Sequence, residues 1–245
     1  MFGIFNRNRN SSIFSVLGTD MHCHLLPNVD DGSRNVNETV SCLKTLSSVG
    51  FKKIYITPHF HANYPNDEAD IQKRYEQLTK ELKAYVGQGL PEVAGISGEY
   101  RFDHQYARRA GVDKVIPLPG KTLLCELALH SSGYDPLDDF AEYKKLGYNL
   151  ILAHPERYPY LGLHSDAVIK MKDMGMAFQV NILSLNGFYG ETAMDKGFSF
   201  IEDGIVEYLG TDLHNTRYAN ELMATARNSK VQSLLKRHTF RNNTL

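Results

Sequence analysis

Apolar residues gather into seven short runs: Gly18 to His24, Lys53 to Pro58, Glu92 to Tyr100, Thr122 to Leu127, Asn149 to His154, Ala177 to Ile182 and Val206 to Asp212. Their lengths predict strands. In several, such as Ile54-Tyr-Ile-Thr57 and Leu150-Ile-Leu-Ala153, the apolar positions are continuous rather than alternating, as in parallel strands covered by helices. Helical stretches are predicted between them: Asn37 to Ser48, Glu68 to Tyr85, His104 to Ala110, Leu137 to Leu146, Ser165 to Met174, Thr192 to Asp203 and Tyr218 to Lys236. Asn35-Val-Asn-Glu38 offers an Asx cap with Glu three residues on, and Gly50, Gly147 and Gly175 stand where C-terminal caps belong. The repeated β-α order predicts an α/β fold, either an open doubly wound sheet or a closed barrel. No G-x-G-x-x-G follows the first strand, so dinucleotide binding loses its main support. Gly120-Lys-Thr122 fails as a phosphate loop, because Val115 stands five positions before Gly120.

In α/β folds chemistry collects where parallel strands end. The first run carries His22 and His24, which share one face of an extended strand, and Asp31 follows in an Asp-Asp-Gly turn. The second ends in Thr57-Pro-His59, the third in Gly98-Glu99, the fourth in Cys125-Glu126, the fifth at His154 of His-Pro-Glu-Arg157, and the seventh in Asp212-Leu-His214. Only the sixth, ending at Asn181, lacks a strong ligand. Singly, each residue has an ordinary explanation: a solvated histidine pair, a helix cap or a bonded turn. Six of seven strand ends bearing His, Asp or Glu point instead to one shared metal cluster.

Imidazole and carboxylate without thiolate suit Mn, Fe or Zn. The number of ligands implies two or three ions bridged by carboxylates, a recurring device for phosphoryl hydrolysis through a shared hydroxide. Arg157 and Arg217, each three residues past a histidine of this set, match phosphate oxygens by their guanidinium forks or else hold their loops.

Composition narrows the partners. Of 245 residues, 42% are hydrophobic and 22% charged, which predicts an ordinary globular chain. Twenty-seven Lys and Arg against 28 Asp and Glu leave a formal net charge of -1, so no field favours nucleic acid. No run approaches the ~20 apolar residues of a membrane span, so no membrane insertion is expected, and the apolar piece Ile13 to Leu17 is too short for a signal-peptide core. Cys23, Cys42 and Cys125 form neither a disulfide framework nor a zinc knuckle, which suits a reducing cytoplasm. No arginine stands six positions after any of them, so the thiolate phosphatase pattern is missing and the cysteines read as packing residues. Residues 1 to 17 are expected to be a weakly ordered tail, and Arg241 to Leu245 a polar end.

The H-x-H, single His, Glu, His and D-x-H elements, in order His22/His24, His59, Glu99 with Glu126, His154 and Asp212/His214, resemble the polymerase and histidinol phosphatase (PHP) superfamily of metal-dependent phosphoesterases. Within it, Asp20-Met-His-Cys-His-Leu-Leu-Pro-Asn-Val-Asp-Asp-Gly32, Thr-Pro-His and His-Pro-Glu-Arg are similar to the bacterial manganese-dependent protein-tyrosine phosphatases of capsule and exopolysaccharide operons, the CpsB/YwqE type. The resemblance implies a single-domain, distorted seven-stranded β/α barrel over residues 18–240 and a centre of two or three Mn2+ ions, with Fe or Zn as alternatives. It implies that His22, His24, Asp31, His59, Glu99, Glu126, His154, Asp212 and His214 hold the metal, and that Arg157, Arg217 and Asp31 are catalytic. The implied partner is a phosphotyrosine-containing protein, a bacterial tyrosine kinase controlling polysaccharide export. A small-molecule phosphomonoesterase of the histidinol phosphatase kind and a catalytically silent regulatory barrel are the competing readings.

Overall fold

A computed structural model describes residues 12–104, 114–130 and 133–245. Every pairing between its named strands is parallel. Strands β1 (Thr19–Asp20), β2 (Lys53–Ile56) and β4 (Glu92–Ile96) lie side by side; β3 (His59–Phe60), β5 (Glu99–Phe102), β6 (Thr122–Leu127), β7 (Asn149–Ala153), β8 (Ala177–Asn181) and β9 (Tyr208–Gly210) continue the sheet. The pair β2/β3 carries the predicted run Lys53 to Pro58 past its expected end, and β4/β5 splits the run Glu92 to Tyr100. Pro58 has no N–H to donate and interrupts the first at Thr57–Pro58, yet Ser97 N–H to Ile56 O (2.8 Å) and Glu99 N–H to Pro58 O (2.9 Å) carry the pairing across. The seven expected strands are thus present, two of them broken.

The curled sheet closes on itself. Asp212 N–H donates to His22 O and His24 N–H to Leu213 O, each at 2.8 Å, joining the chain beyond β9 to the chain beyond β1. Asp20 tightens this seam, accepting Thr211 N–H at 3.0 Å and the Thr211 hydroxyl at 2.5 Å. Burial pushes the Asp20 carboxyl up to about 6 against the lowering effect of those bonds. The open-sheet alternative is excluded.

Strand alternation sorts the side chains. On β6, Leu123, Cys125 and Leu127 face outward into the large cluster beneath the helices, whereas Leu124 joins Met21, Tyr55, Ile151 and Tyr208 in a second, inner cluster. Glu126 shares the inward face with Leu124 and lies two residues nearer the rim. The apolar plug at the bottom of the barrel therefore leads directly into the polar site above it. Cys23 also belongs to the outer cluster, turned away from its two flanking histidines.

Helices α1 (Val36–Val49), α2 (Glu68–Leu82), α3 (Leu137–Lys145), α4 (Asp166–Asp173), α5 (Glu191–Glu202), α6 (Thr216–Arg227) and α7 (Ser229–Arg237) pack around the strands. Asn35 caps α1 by accepting Glu38 N–H at 3.1 Å, and Gly50 ends that helix in the left-handed region at φ 114°. The single helix predicted from Tyr218 to Lys236 is two, because Asn228 is extended (φ -70°, ψ 120°) and its side chain accepts the first free N–H groups of α7. The helix expected over His104 to Ala110 falls, apart from His104, outside the described residues.

Both ends depart from expectation. Ile13–Val16 forms a turn of 3-10 helix in which Phe14 is fully buried and stacks on Phe51, ring centroids 5.6 Å apart. The expected tail is therefore packed from Ile13 onward. The polar C-terminal end is not solvated either: Asn242 is fully buried, donating to Thr19 O (2.9 Å) and Leu209 O (2.6 Å) and accepting Leu209 N–H (3.1 Å). One amide side chain thus bridges β1 and β9 below the seam, and Leu245 joins the inner cluster. Composition hid this, since a buried Asn with every group bonded reads in sequence like a surface one.

Candidate metal centre

Seven of the nine metal-ligand candidates meet in one compact buried cluster around Glu99, and Glu126 adjoins it. One Glu99 oxygen lies 2.8 Å from His154 Nε2 and 3.3 Å from His22 Nε2; the other lies 2.9 Å from His59 Nδ1 and 3.4 Å from His24 Nε2. Asp212 Oδ1 stands 3.5 Å from His22 Nε2, 3.3 Å from His24 Nε2 and 3.5 Å from His214 Nδ1. Glu126 Oε1 is 3.3 Å from His59 Nδ1. Asp31 sits at the mouth, half-exposed, its Oδ1 3.5 Å from His59 Nε2 and 3.6 Å from His214 Nε2.

Three overlapping triads have ligand atoms within 4.8 Å of one another: His24/His59/His214, His22/His24/Asp212 and His22/Glu99/His154. Two of the strand-end ligands, His154 (φ 36°) and Asp212 (φ 51°), sit in the left-handed region. That conformation costs a non-glycine residue of order 1–3 kcal/mol and is characteristic of functional sites.

The residues fit divalent cations. Burial alone would neutralise these carboxyls, but the charges of His22 and His59 outweigh it and hold Glu99 well below its ordinary value; His22 and His214 do the same for Asp212. In return Asp30 and its neighbours raise His24 well above the ordinary imidazole range despite its burial. Protons thus take the role of the cations, and metal binding releases them. His59 Nδ1, Glu99 Oε2 and Glu126 Oε1 are buried close to charged neighbours yet in no well-aligned hydrogen bond, the condition a metal ion relieves.

Strand β8, which brings no ligand, orients the others. Gln179 Oε1 meets His22 Nδ1 at 2.8 Å, Gln179 donates to Asn181 Oδ1 at 2.9 Å, and Asn181 donates to Asp212 Oδ2 at 2.7 Å. Gly210 permits this reach: a Cβ there would lie 2.8 Å from both Gln179 Nε2 and His22 Cβ. Asp30 fixes the first loop in the same way, meeting His24 Nδ1 at 2.9 Å and accepting His59 N–H at 3.1 Å. Such outer partners set which imidazole nitrogen faces the metal. Glu156 is fully buried and ties the His-Pro-Glu-Arg turn to the end of β8, accepting Ser184 Oγ–H at 2.6 Å and Asn181 N–H at 3.0 Å.

The cluster opens into a cleft of about 230 Å³ whose cationic lining residues, among the described ones, are Arg101 and Arg157 besides its histidines. Arg157 donates to Asp212 Oδ2 at 2.9 Å and lies over the Tyr189 ring at 4.2 Å. Asn181, Arg157 and Tyr189 thus all donate to that oxygen, leaving Oδ1 to face the histidines. Arg217 is not among the lining residues. It is exposed at the start of α6, its guanidinium 5.4 Å from the Phe188 ring. Its position early in the first helical turn after Asp-Leu-His214 sets it beside Phe188 rather than in the cleft lining.

Sequence reasoning missed His61 and Arg101. His61 forms a fourth triad with His59 and Glu126. Each stands two residues past a chosen ligand on an extended segment, so the alternation that paired His22 with His24 reaches both.

Because Arg157 holds Asp212 as well as lining the cleft, Arg157→Ala should lower kcat/KM on an aryl phosphate by about 10²–10³-fold. It should also weaken metal affinity by roughly 10–100-fold. Steady-state kinetics beside metal analysis by mass spectrometry check both; full metal affinity would make the Asp212 contact incidental.

A closed ring of parallel strands bearing buried histidines and carboxylates on its C-terminal rim defines a β/α barrel with a candidate divalent-metal centre. The sequence profile for capsular polysaccharide synthesis, CpsB/CapC, matches residues 18–242. The chain therefore belongs to the CpsB/CapC family. It is 26% identical over 204 residues to the tyrosine-protein phosphatase CpsB of Streptococcus pneumoniae, covering 80% of this chain and 82% of that protein. It is 24% identical over 204 residues to the tyrosine-protein phosphatase YwqE of Bacillus subtilis, covering 82% and 79%. A solved structure from work on those two metal-dependent tyrosine phosphatases matches with a TM-score of 0.73 at 22% identity, over 91% of this chain and 94% of that one. That likeness is one of fold.

Proposed function

We propose that this protein is a metal-dependent protein-tyrosine phosphatase that uses two or three Mn2+ ions and acts in the cytoplasm on a phosphotyrosine-bearing protein, a bacterial tyrosine kinase that regulates capsule or exopolysaccharide synthesis. The observation that carries it is the convergence of His, Asp and Glu residues at the floor of a cleft walled by guanidinium and phenol groups. The family's link to capsular polysaccharide synthesis and the names of its relatives support the pathway. No described helix is long and apolar enough to cross a membrane.

His22, His24, Asp31, His59, Glu99, Glu126, His154, Asp212 and His214 would hold the divalent cations, which would supply Lewis acidity toward a phosphoryl group and lower the pKa of water. The chain's other groups position the substrate. Arg157 offers the phosphoryl oxygens the N–H groups that Asp212 leaves free. Asp31 is the half-exposed carboxylate of the set, placed to exchange a proton with solvent at Oδ1. A cysteine nucleophile is disfavoured, since Cys23, Cys42 and Cys125 are buried and none lines the cleft. Burial pushes the Cys42 thiol up to about 12 and that of Cys23 well above its ordinary value, far from the thiolate such chemistry needs.

Tyr64 stacks on His59 at 5.7 Å and Tyr218 lies tilted against His214 at 4.9 Å between ring centroids, and both line the cleft. Two phenol rings beside the phosphoryl position favour an aryl phosphate, each aromatic contact contributing ~0.5–1.5 kcal/mol. In matched peptides phosphotyrosine should be hydrolysed at least about tenfold faster than phosphoserine. Equal kcat/KM on the two, measured by phosphate release, would defeat the tyrosine assignment.

A further inference from the structure

We propose that Arg101 is the second guanidinium that grips the phosphoryl group, taking the task that the sequence pattern assigned to Arg217. The inference rests on the phosphatase reading and deepens it. A phosphate dianion leaving water for a partly buried cleft needs several charge-assisted donors, and a guanidinium fork supplies two in the geometry of its oxygens. Arg157 has one N–H already bound to Asp212. Arg217 is exposed and stacked on Phe188, outside the lining.

Arg101 meets the requirement. It stands on β5 two residues past Glu99, lines the same cleft, and has a side chain only 19% exposed. Its Nη2 lies 3.1 Å from Glu126 Oε1, which fixes the guanidinium beside the candidate ligands, while its Nε is buried with no hydrogen-bond partner. A buried guanidinium N–H without an acceptor is costly, and an oxygen of a bound phosphate relieves that cost. His61 lines the same wall, its Nδ1 accepting Asn63 N–H at 3.2 Å.

The test is calorimetric titration of inorganic phosphate into the Mn2+-loaded full chain, with metal content measured on the same samples. Arg101→Gln should weaken phosphate binding at least tenfold while retaining wild-type metal. Arg217→Gln should stay within twofold of wild type, and Arg101→Lys, which keeps charge without the fork, should fall between. Because Arg101 also touches Glu126, the lysine variant separates support of that carboxylate from contact with phosphate. The proposal is overturned if Arg101→Gln binds phosphate as wild type does, if Arg217→Gln loses as much, if both Arg101 variants shed metal, or if the wild type shows no saturable phosphate binding. The titration requires no turnover, so a wild type that binds phosphate but hydrolyses no phosphotyrosine would overturn the phosphatase reading and leave the Arg101 ratio intact.

Discussion

Stripping divalent cations with a chelator is expected to abolish aryl phosphate hydrolysis, and added Mn2+ to restore it. The floor of the cleft is built from groups that cannot perform this chemistry unaided: histidines and carboxylates crowded within 3.4 Å of one another around Glu99. Chelation should also lower Tm. A ligand at a thousand times its Kd adds roughly 4 kcal/mol to stability, which for a chain of this size corresponds to a fall on the order of 10 °C when it is removed. The two readouts are independent. A metal-free preparation with full activity would remove the cluster from the mechanism, and an unchanged Tm would show that the histidines and carboxylates compensate one another without cations.

Glu99→Ala is the substitution with the largest expected effect. Its two oxygens lie within 3.4 Å of four imidazoles, contributed by the first, second and fifth strand lines, and no other carboxylate here is shared so widely. Without it the His22/Glu99/His154 triad loses its only anionic member, and His59 loses its nearer carboxylate. Loss of bound metal at this position and a fall in kcat/KM of about 10⁴-fold or more, equivalent to roughly 5–6 kcal/mol, are expected. Metal stoichiometry beside turnover distinguishes this from misfolding, with circular dichroism as the control. A folded Glu99→Ala protein that retains every ion and most of its rate would show that Glu99 only neutralises its histidines.

The strand-end residues were legible in the sequence because the barrel converts an ordinal property, being last in an apolar run, into a spatial one. His22, Glu99, His154 and Asp212 are far apart in sequence and meet within a few ångströms. What escaped was lateral. Gln179 and Asn181 look like unremarkable polar residues in an apolar run, and their task appears only when β8 is seen beside β9 and the start of the chain. Arg217 shows the opposite limit: its spacing from His214 suggested a place in the cleft, and only the structure shows that the first turn of α6 sets it beside Phe188. Phe14 and Asn242 were hidden by their neighbours, one in a polar leader and the other in a polar end, because burial of a single residue leaves no periodic trace.

The seam between β1 and β9 has a consequence for the chain as it is made. Asn242 binds Thr19 O across 223 residues, and Thr211 binds Asp20 across 191. Contacts so distant in order form late, since the entropy of closing the loop is lost before the contact rewards it. His22 and His24 therefore wait for Asp212 and His214, and no partial chain emerging from the ribosome can assemble the complete ion-binding pocket. The full cluster is therefore assembled in stages: the His22/Glu99/His154 and His59/His61/Glu126 triads need nothing beyond His154, whereas the two triads that contain Asp212 or His214 await closure of the seam.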